Sequence, residues 1–452
     1  MKWWFCGALA VVLCLAVFLT GCGRKQQRAE GPNVVIISID TLRADHVSCY
    51  GYERETTPNI DRLASQGHRF QNAYTTMPTT LPAHASLFTS LYPRQLSVRR
   101  NGERVPADVR TLAEILRSSG YATGGFVSAI VMHARHGISK GFRTYEDVEG
   151  VRLAEETLAR ATAWLQKQGG RPFFLFLHLY DPHWPYHAPE PYRTKFGAPD
   201  SAAPPAKQFV PDPSQFTEQI VQESIAAYDA EIAYADEAVG ALLRELAQMG
   251  VEDRTIVVLL SDHGESLGEL LTRYGYAFAH GEFLYAHQLQ IPLIIRMPEE
   301  PSQENGVVRT APVSIVDIMP TILDILEIDP VDTMAGRSLL PVLKGEQATN
   351  RSLFSERRTI DKLPKPFLAG ADYSIIRDGW HLIFSTNRGI ELYNMVEDPA
   401  EVSDLVQERE KIDALTGELR RWLDQLKPLF GPSGFETDEE AIEGLKDLGY
   451  AK

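Results

Sequence analysis

Residues 79–93 read TTLPAHASLFTSLYP, and they stand between two other telling segments, NVVIISIDTLRADH at 33–46 and SDHGE at 261–265. NVVIISID is an apolar, β-branched run closed by an acid, the form of a buried strand that ends on Asp40. SDHGE closes a second such run, TIVVLL. TTLPAHASLFTSLYP opens with hydroxyls and carries a proline where a helix over 82–90 would begin. A strand-end Asp, a hydroxyl at a helix entrance and a strand-end Asp-His pair can together make a metal-activated nucleophile, the equipment of an enzyme that attacks an anionic ester.

Outward from these segments, strand and helix patterns alternate from residue 33 to about 345. Apolar runs at 33–40, 121–129, 173–180, 255–260 and 292–297 read as buried strands, and 110–118, 152–167, 216–248 and 314–327 as helices. Thr57-Pro58 marks a further helix start, with Ile60, Leu63 and Ala64 on one face. The alternation predicts an α/β fold, a large, mostly parallel sheet with helices on both sides. Ligands of such sheets gather at the carboxyl ends of the strands, the edge to which Asp40, Asp181 and Asp262 all belong. The Pro-rich stretch 184–215 reads as a surface excursion near it. After about 350 the texture changes: RSLFSER, DYSIIRDG, WHLIFST and IELYNMVED, then a helix over about 402–427, predict a small antiparallel sheet covered by one helix. The domain division expected is 33–348 for the large unit and 349–452 for the small one, whose acidic tail adds a short terminal helix.

Composition narrows the functions. With 452 residues, 44% of them apolar, the chain can bury a large core, and a net charge of −15 opposes nucleic-acid binding, which requires a basic surface. Any anionic substrate must be captured locally, by a metal, His, Arg or helix N-termini. Lys2 followed by the apolar run Trp3–Leu19 and then Leu19-Thr20-Gly21-Cys22 resembles a bacterial lipoprotein signal. Residues 1–22 are therefore expected to be the signal, Cys22 the lipidated residue and 23–32 a tether, placing the body outside the cytoplasm on a membrane. An uncleaved transmembrane anchor is the alternative, with the same outcome for the body. Cys49 is then the sole thiol of the folded part; no intramolecular disulfide can form, and it reads as a small packed side chain.

The succession DTLRADHVSCYGY, TPNIDRLASQGHRFQNAY, TLPAHASLFTSLYP, GYATGGF, DPHWPY, SDHGESLGE, HGEFLY, IPLIIRMP, SIVDIMPTILDIL, GRSLLPVL and ELYNMVEDPAEVSDL resembles the sulfatase family of the alkaline phosphatase superfamily over nearly all of the chain after residue 32. The resemblance implies a large mixed sheet sandwiched by helices with a smaller C-terminal sheet. It also implies roles, position by position. The family nucleophile, a Cys or Ser converted to formylglycine within C/S-x-P-x-R, falls on Thr80, with the Pro kept at Pro82 and the Arg replaced by His84, which becomes a substrate-contact candidate. Oxidising a Thr β-carbon would give only a ketone, so Thr80 must act as an unmodified hydroxyl, as nucleophiles do in phosphodiesterases and phosphoryl transferases of the superfamily. Its helix entrance would offer backbone N–H groups to the anion.

The metal shell departs in the same direction. Where such sulfatases place Asp-Asp and Asp-Asn, an oxygen cage suited to calcium, this chain has Asp40-Thr41 and Asp262-His263. Asp40, Thr80, Asp262 and His263 are the implied ligands of a divalent ion, zinc or manganese rather than calcium. His183 matches the position of a family His that touches the sulfate or leaving group, His280 lies near the position where many members carry a substrate Lys, and both can donate a proton. Asp181, His183, His187 and His280 would alternatively complete a second metal site. Ser128 stands where the family has a substrate-binding Lys. Arg43 either contacts the pocket or pairs with Asp45; Arg337 reads as structural, and the long helix around Tyr228, Asp229 and Glu231 as core. The expected function is metal-dependent hydrolysis of a sulfate or phosphate ester, on a small molecule or an envelope glycan or lipid. The alternatives are a phosphodiesterase or phosphoryl-headgroup transferase, and a catalytically inactive binding lipoprotein, the last opposed by the retention of Asp40, Asp262 and His263.

Overall fold

The computed structural model describes residues 31–199, 208–210, 212–298, 306–346, 350–360 and 365–431. The expected signal, Cys22, most of the tether and the acidic tail lie outside the described residues. Among the described residues no helix is long and apolar enough to cross a membrane.

The strands in chain order are β1 (Asn33–Ile39), β2 (His68–Tyr74), β3 (Ala122–Phe126), β4 (Thr144–Glu146), β5 (Phe173–Leu179), β6 (Gln208–Phe209), β7 (Thr255–Leu260), β8 (Tyr276–Ala277), β9 (Gln290–Arg296), β10 (Val307–Ser314), β11 (Leu353–Glu356), β12 (Asp372–Arg377), β13 (Trp380–Ser385) and β14 (Gly389–Asn394). Eight form the main sheet in the order β10-β2-β9-β7-β1-β5-β3-β4, and β11 to β14 form the small one in sequence order. In the main sheet β1 runs parallel to β5 and β7, while β9 is antiparallel to both β7 and β2, so the sheet is mixed.

The central strands NVVIISI, FFLFLHL and TIVVLL are buried at every residue. That follows from helices on both faces, which remove the need for a polar side. Alternation along the strand then sorts the side chains between two cores. Val34, Ile36, Phe174, Phe176, Ile256 and Val258 pack on one face, with Leu81 and Leu87 of the helix Thr80–Thr89 and Met319 and Ile322 of Ile318–Ile325. Val35, Ile37, Leu175, Leu177, Val257 and Leu259 pack on the other, with Ile60 of Pro58–Ser65, Leu165 of Ala154–Leu165 and Leu242 of Glu218–Gln248.

Three strands of the main sheet escape the apolar pattern. β2 (HRFQNAY) and β10 (VVRTAPVS) are only partly buried and carry polar residues, and β4 is a three-residue edge. The small sheet is antiparallel throughout and is covered by the helix Arg409–Gln425, whose Ile412, Leu415 and Leu419 join Ile375, Leu382 and Leu392. That helix begins later than the expected 402 because the preceding residues are stapled to β14: Leu405 N–H donates to Leu392 O at 2.8 Å and Asp404 Oδ1 accepts Leu392 N–H at 3.0 Å. The small sheet also holds the loop ahead of Thr80, through Glu356 N–H to Thr76 O at 2.9 Å and Ser355 Oγ to Thr75 O at 2.7 Å.

Candidate active site

The site forms where β1, β5 and β7 end side by side. Register places Ser38 opposite both His178 on β5 and Leu260 on β7, so the residues that follow β1 and β7 leave the sheet together. Asp40 N–H makes a last ladder bond to Leu179 O at 2.9 Å. Thr41 then takes a left-handed backbone, φ 57°, which costs a residue with a Cβ roughly 1–2 kcal/mol. Its neighbours hold it there. Asp262 Oδ1 accepts Thr41 N–H at 3.3 Å, and Tyr228 Oη donates to Thr41 O at 2.7 Å while accepting Arg43 N–H at 3.0 Å. Tyr228, read from sequence as core, therefore clamps the turn that presents Asp40. Tyr228→Phe leaves the buried Thr41 carbonyl unsatisfied and should destabilise the fold by about 1–3 kcal/mol in urea denaturation; a variant of wild-type stability would mean that the turn holds itself.

Asp40, Asp262 and His263 each present a ligand atom to a common point, the atoms all lying within 4.8 Å of one another, and all three residues are buried. His263 Nδ1 lies 2.9 Å from Gly264 O. A carbonyl only accepts, so Nδ1 is the donor and Nε2 is left to face the cluster, 3.3 Å from Asp262 Oδ2 and 3.9 Å from Asp40 Oδ1. Asp262 Oδ2 accepts no hydrogen bond among the described residues. His178 Nε2 lies 3.5 Å from Asp40 Oδ2 and His84 Nδ1 3.7 Å from Asp262 Oδ2. Burial pushes both His84 and His178 down to about 4, so neither is charged near neutral pH. Two buried carboxylates flanked by neutral imidazoles are costly without a cation. The donor set fits a divalent ion held by Asp40, Asp262 and His263.

Thr80 is fully buried at the first position of its helix, two residues ahead of the expected start, with Oγ1 3.4 Å from His263 Nε2. The helix entrance supplies less than the sequence suggested: Leu81 N–H is taken by Asn101 Oδ1 at 2.9 Å, and Pro82 has no N–H. The substrate contacts expected of His84 and Arg43 do not fit their positions. His84 is fully buried beneath Thr80, donating Nδ1–H to Thr80 O at 2.8 Å and accepting at Nε2 from Ser38 Oγ at 2.9 Å; it props the helix entrance. The Arg43 guanidinium is bound by both Asp45 oxygens at 2.9 and 2.6 Å, by Glu265 O at 3.1 Å and by Glu269, beside a separate cleft with Tyr50, Gln71 and His287. Arg43 holds two loops together, the pairing with Asp45 that was its other reading.

The family model described as Sulfatase matches residues 32–328, about two thirds of the chain. The chain belongs to the sulfatase family. A second model, N-sulphoglucosamine sulphohydrolase, C-terminal, matches residues 275–428 of this sulfatase-family protein. An ulvan-active sulfatase of Formosa agariphila is 26% identical over 451 residues, covering 90% of this chain and 84% of its own length. A solved structure with bound D-glucosamine-2-N,6-O-disulfate superposes with a TM-score of 0.73 at 20% identity, over 93% of this chain and 99% of that one. The phosphonate monoester hydrolase of Agrobacterium radiobacter gives 0.71 at 21% identity, over 87% and 95%. The sulfatase-family chain is an ester hydrolase, and its active site departs from the formylglycine pattern.

Three buried histidines stand in a row beside the cluster of the sulfatase-family site. The His263 and His280 rings lie 4.3 Å apart and His280 and His183 5.1 Å apart, with His183 stacked on Tyr180 at 4.3 Å. His280 Nδ1 lies 3.2 Å from Glu265 Oε1, and His183 Nδ1 donates to Trp184 O at 2.6 Å, so each ring turns its Nε2 away from its anchor. The second metal set expected from sequence is not gathered among the described residues: His187 is exposed with its N–H on Glu231, and Asp181 Oδ2 accepts Ala154 N–H at 3.1 Å. Ser128 Oγ donates to His178 O at 2.7 Å in the buried layer. Cys49 is half-buried and inert, burial and Asp61 both raising its thiol above the ordinary range. Sequence reasoning missed His178, Glu265 and Asn101. His178 had a signal, as the lone polar residue of the apolar strand FFLFLHL.

Proposed function

We propose that this sulfatase-family hydrolase cleaves phosphate, phosphonate or sulfate esters with the Thr80 hydroxyl as nucleophile, phosphoryl substrates being preferred. The carrying observation is the 3.4 Å approach of Thr80 Oγ1 to His263 Nε2, at a buried cluster of two carboxylates and an imidazole. A divalent ion, zinc or manganese, held by Asp40, Asp262 and His263 would lower the pKa of the hydroxyl and offset the charge of the tetrahedral anion. Thr80, its proton passed to solvent, would attack the phosphorus or sulfur in line, forming an ester to the enzyme as the bond to the leaving group breaks, while His183 or His280 gives a proton to the departing oxygen. Water, losing a proton to the same histidine, would hydrolyse the Thr80 ester, and the departing Thr80 oxygen takes a proton from solvent to restore the free hydroxyl.

The preference for phosphoryl groups rests on what surrounds Thr80. Neutral His84 and Ser128 stand where formylglycine sulfatases have fixed cations, so less positive charge is built in for sulfate. The fold neighbours include one with a bound glucosamine disulfate and a phosphonate monoester hydrolase, so an anionic ester is common to both likenesses, and the first of them favours a sugar as its carrier. The lipoprotein-like first 22 residues support a body outside the cytoplasm, lipid-anchored through Cys22; residues 33–348 would carry the site and 349–452 would form a subdomain. A panel of 4-nitrophenyl sulfate, phosphate, phenylphosphonate and bis-4-nitrophenyl phosphate tests the preference. A phosphoryl substrate should exceed the sulfate at least tenfold in kcat/KM; the reverse order would refute it, and turnover of none would restore the inactive-scaffold reading.

A further inference from the structure

Two arginines flank the site where the main sheet meets the C-terminal unit. On one side, Asn101 Oδ1 accepts Leu81 N–H at 2.9 Å, which lays the segment ending Arg99-Arg100-Asn101 against the entrance of the Thr80 helix. On the other, Glu282, two residues after His280, accepts Arg358 Nη2 at 3.4 Å. The two sides are tied together. Arg100 Nη2 donates to Thr359 O at 3.0 Å, and Arg99 Nη2 to Arg357 O at 2.9 Å. Arg100 is thus bonded to the residue that follows Arg358, one arginine reaching in from Thr80 and the other from His280.

Their neighbours are neutralised and they are not. Arg99 pairs with Glu356 at 3.0 Å and Arg357 with Asp372 at 2.8 Å. Among the described residues no carboxylate pairs with the Arg100 guanidinium; the nearby Glu103 Oε2 is taken by the backbone N–H groups of Arg99 and Arg100, at 2.5 and 3.1 Å. The Arg358 contact with Glu282 is single and long, and the other Glu282 oxygen accepts Tyr276 Oη at 2.8 Å. Both arginines are half-buried, so a ligand can reach them and their field is screened less than that of a fully exposed charge. On a chain of net charge −15, two under-neutralised cations beside the site concentrate attraction for an anion at that place. The surroundings are polar as well. Thr79, half-buried at the helix entrance, spends no side-chain bond on capping it, and none of the exposed large hydrophobic side chains lies within 79–81, 99–103, 280–282 or 356–360. Hydroxyl-rich sugars suit such a rim better than acyl chains.

We infer that Arg100 and Arg358 bind a second anionic group of the substrate, which makes the substrate an oligosaccharide with anionic groups on more than one sugar, the cleaved ester being one of them. The identity of that ester rests on the reading given under the proposed function; the second anion rests on the two arginines. Guanidinium groups suit the task, since each can hold a sulfate, phosphate or carboxylate through two N–H groups.

A heparin-derived tetrasaccharide, with sulfate and carboxylate groups on successive sugars, serves as the probe, titrated by calorimetry into the full-length protein carrying Thr80→Ala. It should bind saturably. Adding Arg100→Ala or Arg358→Ala should raise its Kd about tenfold each, and Arg100→Lys or Arg358→Lys should recover most of that loss. Raising sodium chloride from about 50 to about 300 mM should weaken binding to the parent far more than to the double alanine variant. Arg244→Ala is the control for net charge: it removes an equal charge from an exposed pair with Glu237, near the amino end of β7 and so at the edge opposite the site, and should leave the Kd within about twofold. No saturable binding, unchanged binding in the Arg100 and Arg358 variants, or an equal loss in Arg244→Ala would each overturn the assignment. The titration reads binding alone, whereas the activity of Thr80→Ala judges the nucleophile, so either can fail without the other.

Discussion

Thr80→Ala should lower kcat on the best ester by about 10^3-fold or more while leaving the melting temperature within a few degrees of wild type; removal of an activated hydroxyl nucleophile in other hydrolases costs up to about 10^6. The side chain offers little besides its hydroxyl: the helix entrance is held by Asn101 on Leu81 N–H and by His84 on the Thr80 carbonyl, both bonds to backbone that alanine keeps. Thr80→Ser retains an alcohol at the same position and should stay within about tenfold of wild type. Serine differs in one further respect, since its β-carbon can be oxidised to an aldehyde where threonine's would give a ketone. Intact mass of the serine variant shows whether the hydroxyl alone suffices. Residual activity of Thr80→Ala above about one tenth of wild type would remove Thr80 from the chemistry and leave water as the attacking group.

Asp262→Asn carries the second large effect. The substitution takes a charge from the cation site, so bound zinc or manganese, read by elemental analysis, should fall well below stoichiometric and hydrolysis should drop by about 10^3-fold or more. The variant should still fold, since the amide keeps an oxygen for Thr41 N–H, which Asp262 Oδ1 accepts now. A chelator should accordingly lower the melting temperature of wild type and leave the variant almost unmoved. Wild-type metal content in Asp262→Asn would sink the cluster as a cation site.

The parallel centre of the fold was legible because β1, β5 and β7 are buried on both sides and read as unbroken apolar runs. β2 and β10 were not, since HRFQNAY and VVRTAPVS owe their place to pairing with β9 and with each other rather than to an apolar period. At the site, Asp40, Asp262 and His263 could be named because strand ends converge in such sheets. The roles of His84 and Arg43 could not, because sequence spacing does not say whether a polar side chain faces the opening or the layer beneath it. His84 lies one helical turn after Thr80, and that turn points into the core. The bond from His187 N–H to Glu231 was hidden for a related reason: the two are 44 residues apart, and the loop that carries His187 has no periodicity to reveal its inner face.

The bonds from β11 to Thr75 and Thr76 have a consequence for any attempt to take the chain apart. Glu356 reaches back with both its backbone N–H and its carboxylate, the latter accepting Arg94 N–H at 2.8 Å beyond the far end of the Thr80 helix. The last hundred residues thus act as a splint across the segment that presents the alcohol. A protein cut near residue 349 would keep every side chain of the cation cluster and still lose its reactive geometry, and a graft of this C-terminal piece onto a distant cousin would shift the attacking group before it altered any contact with the ester.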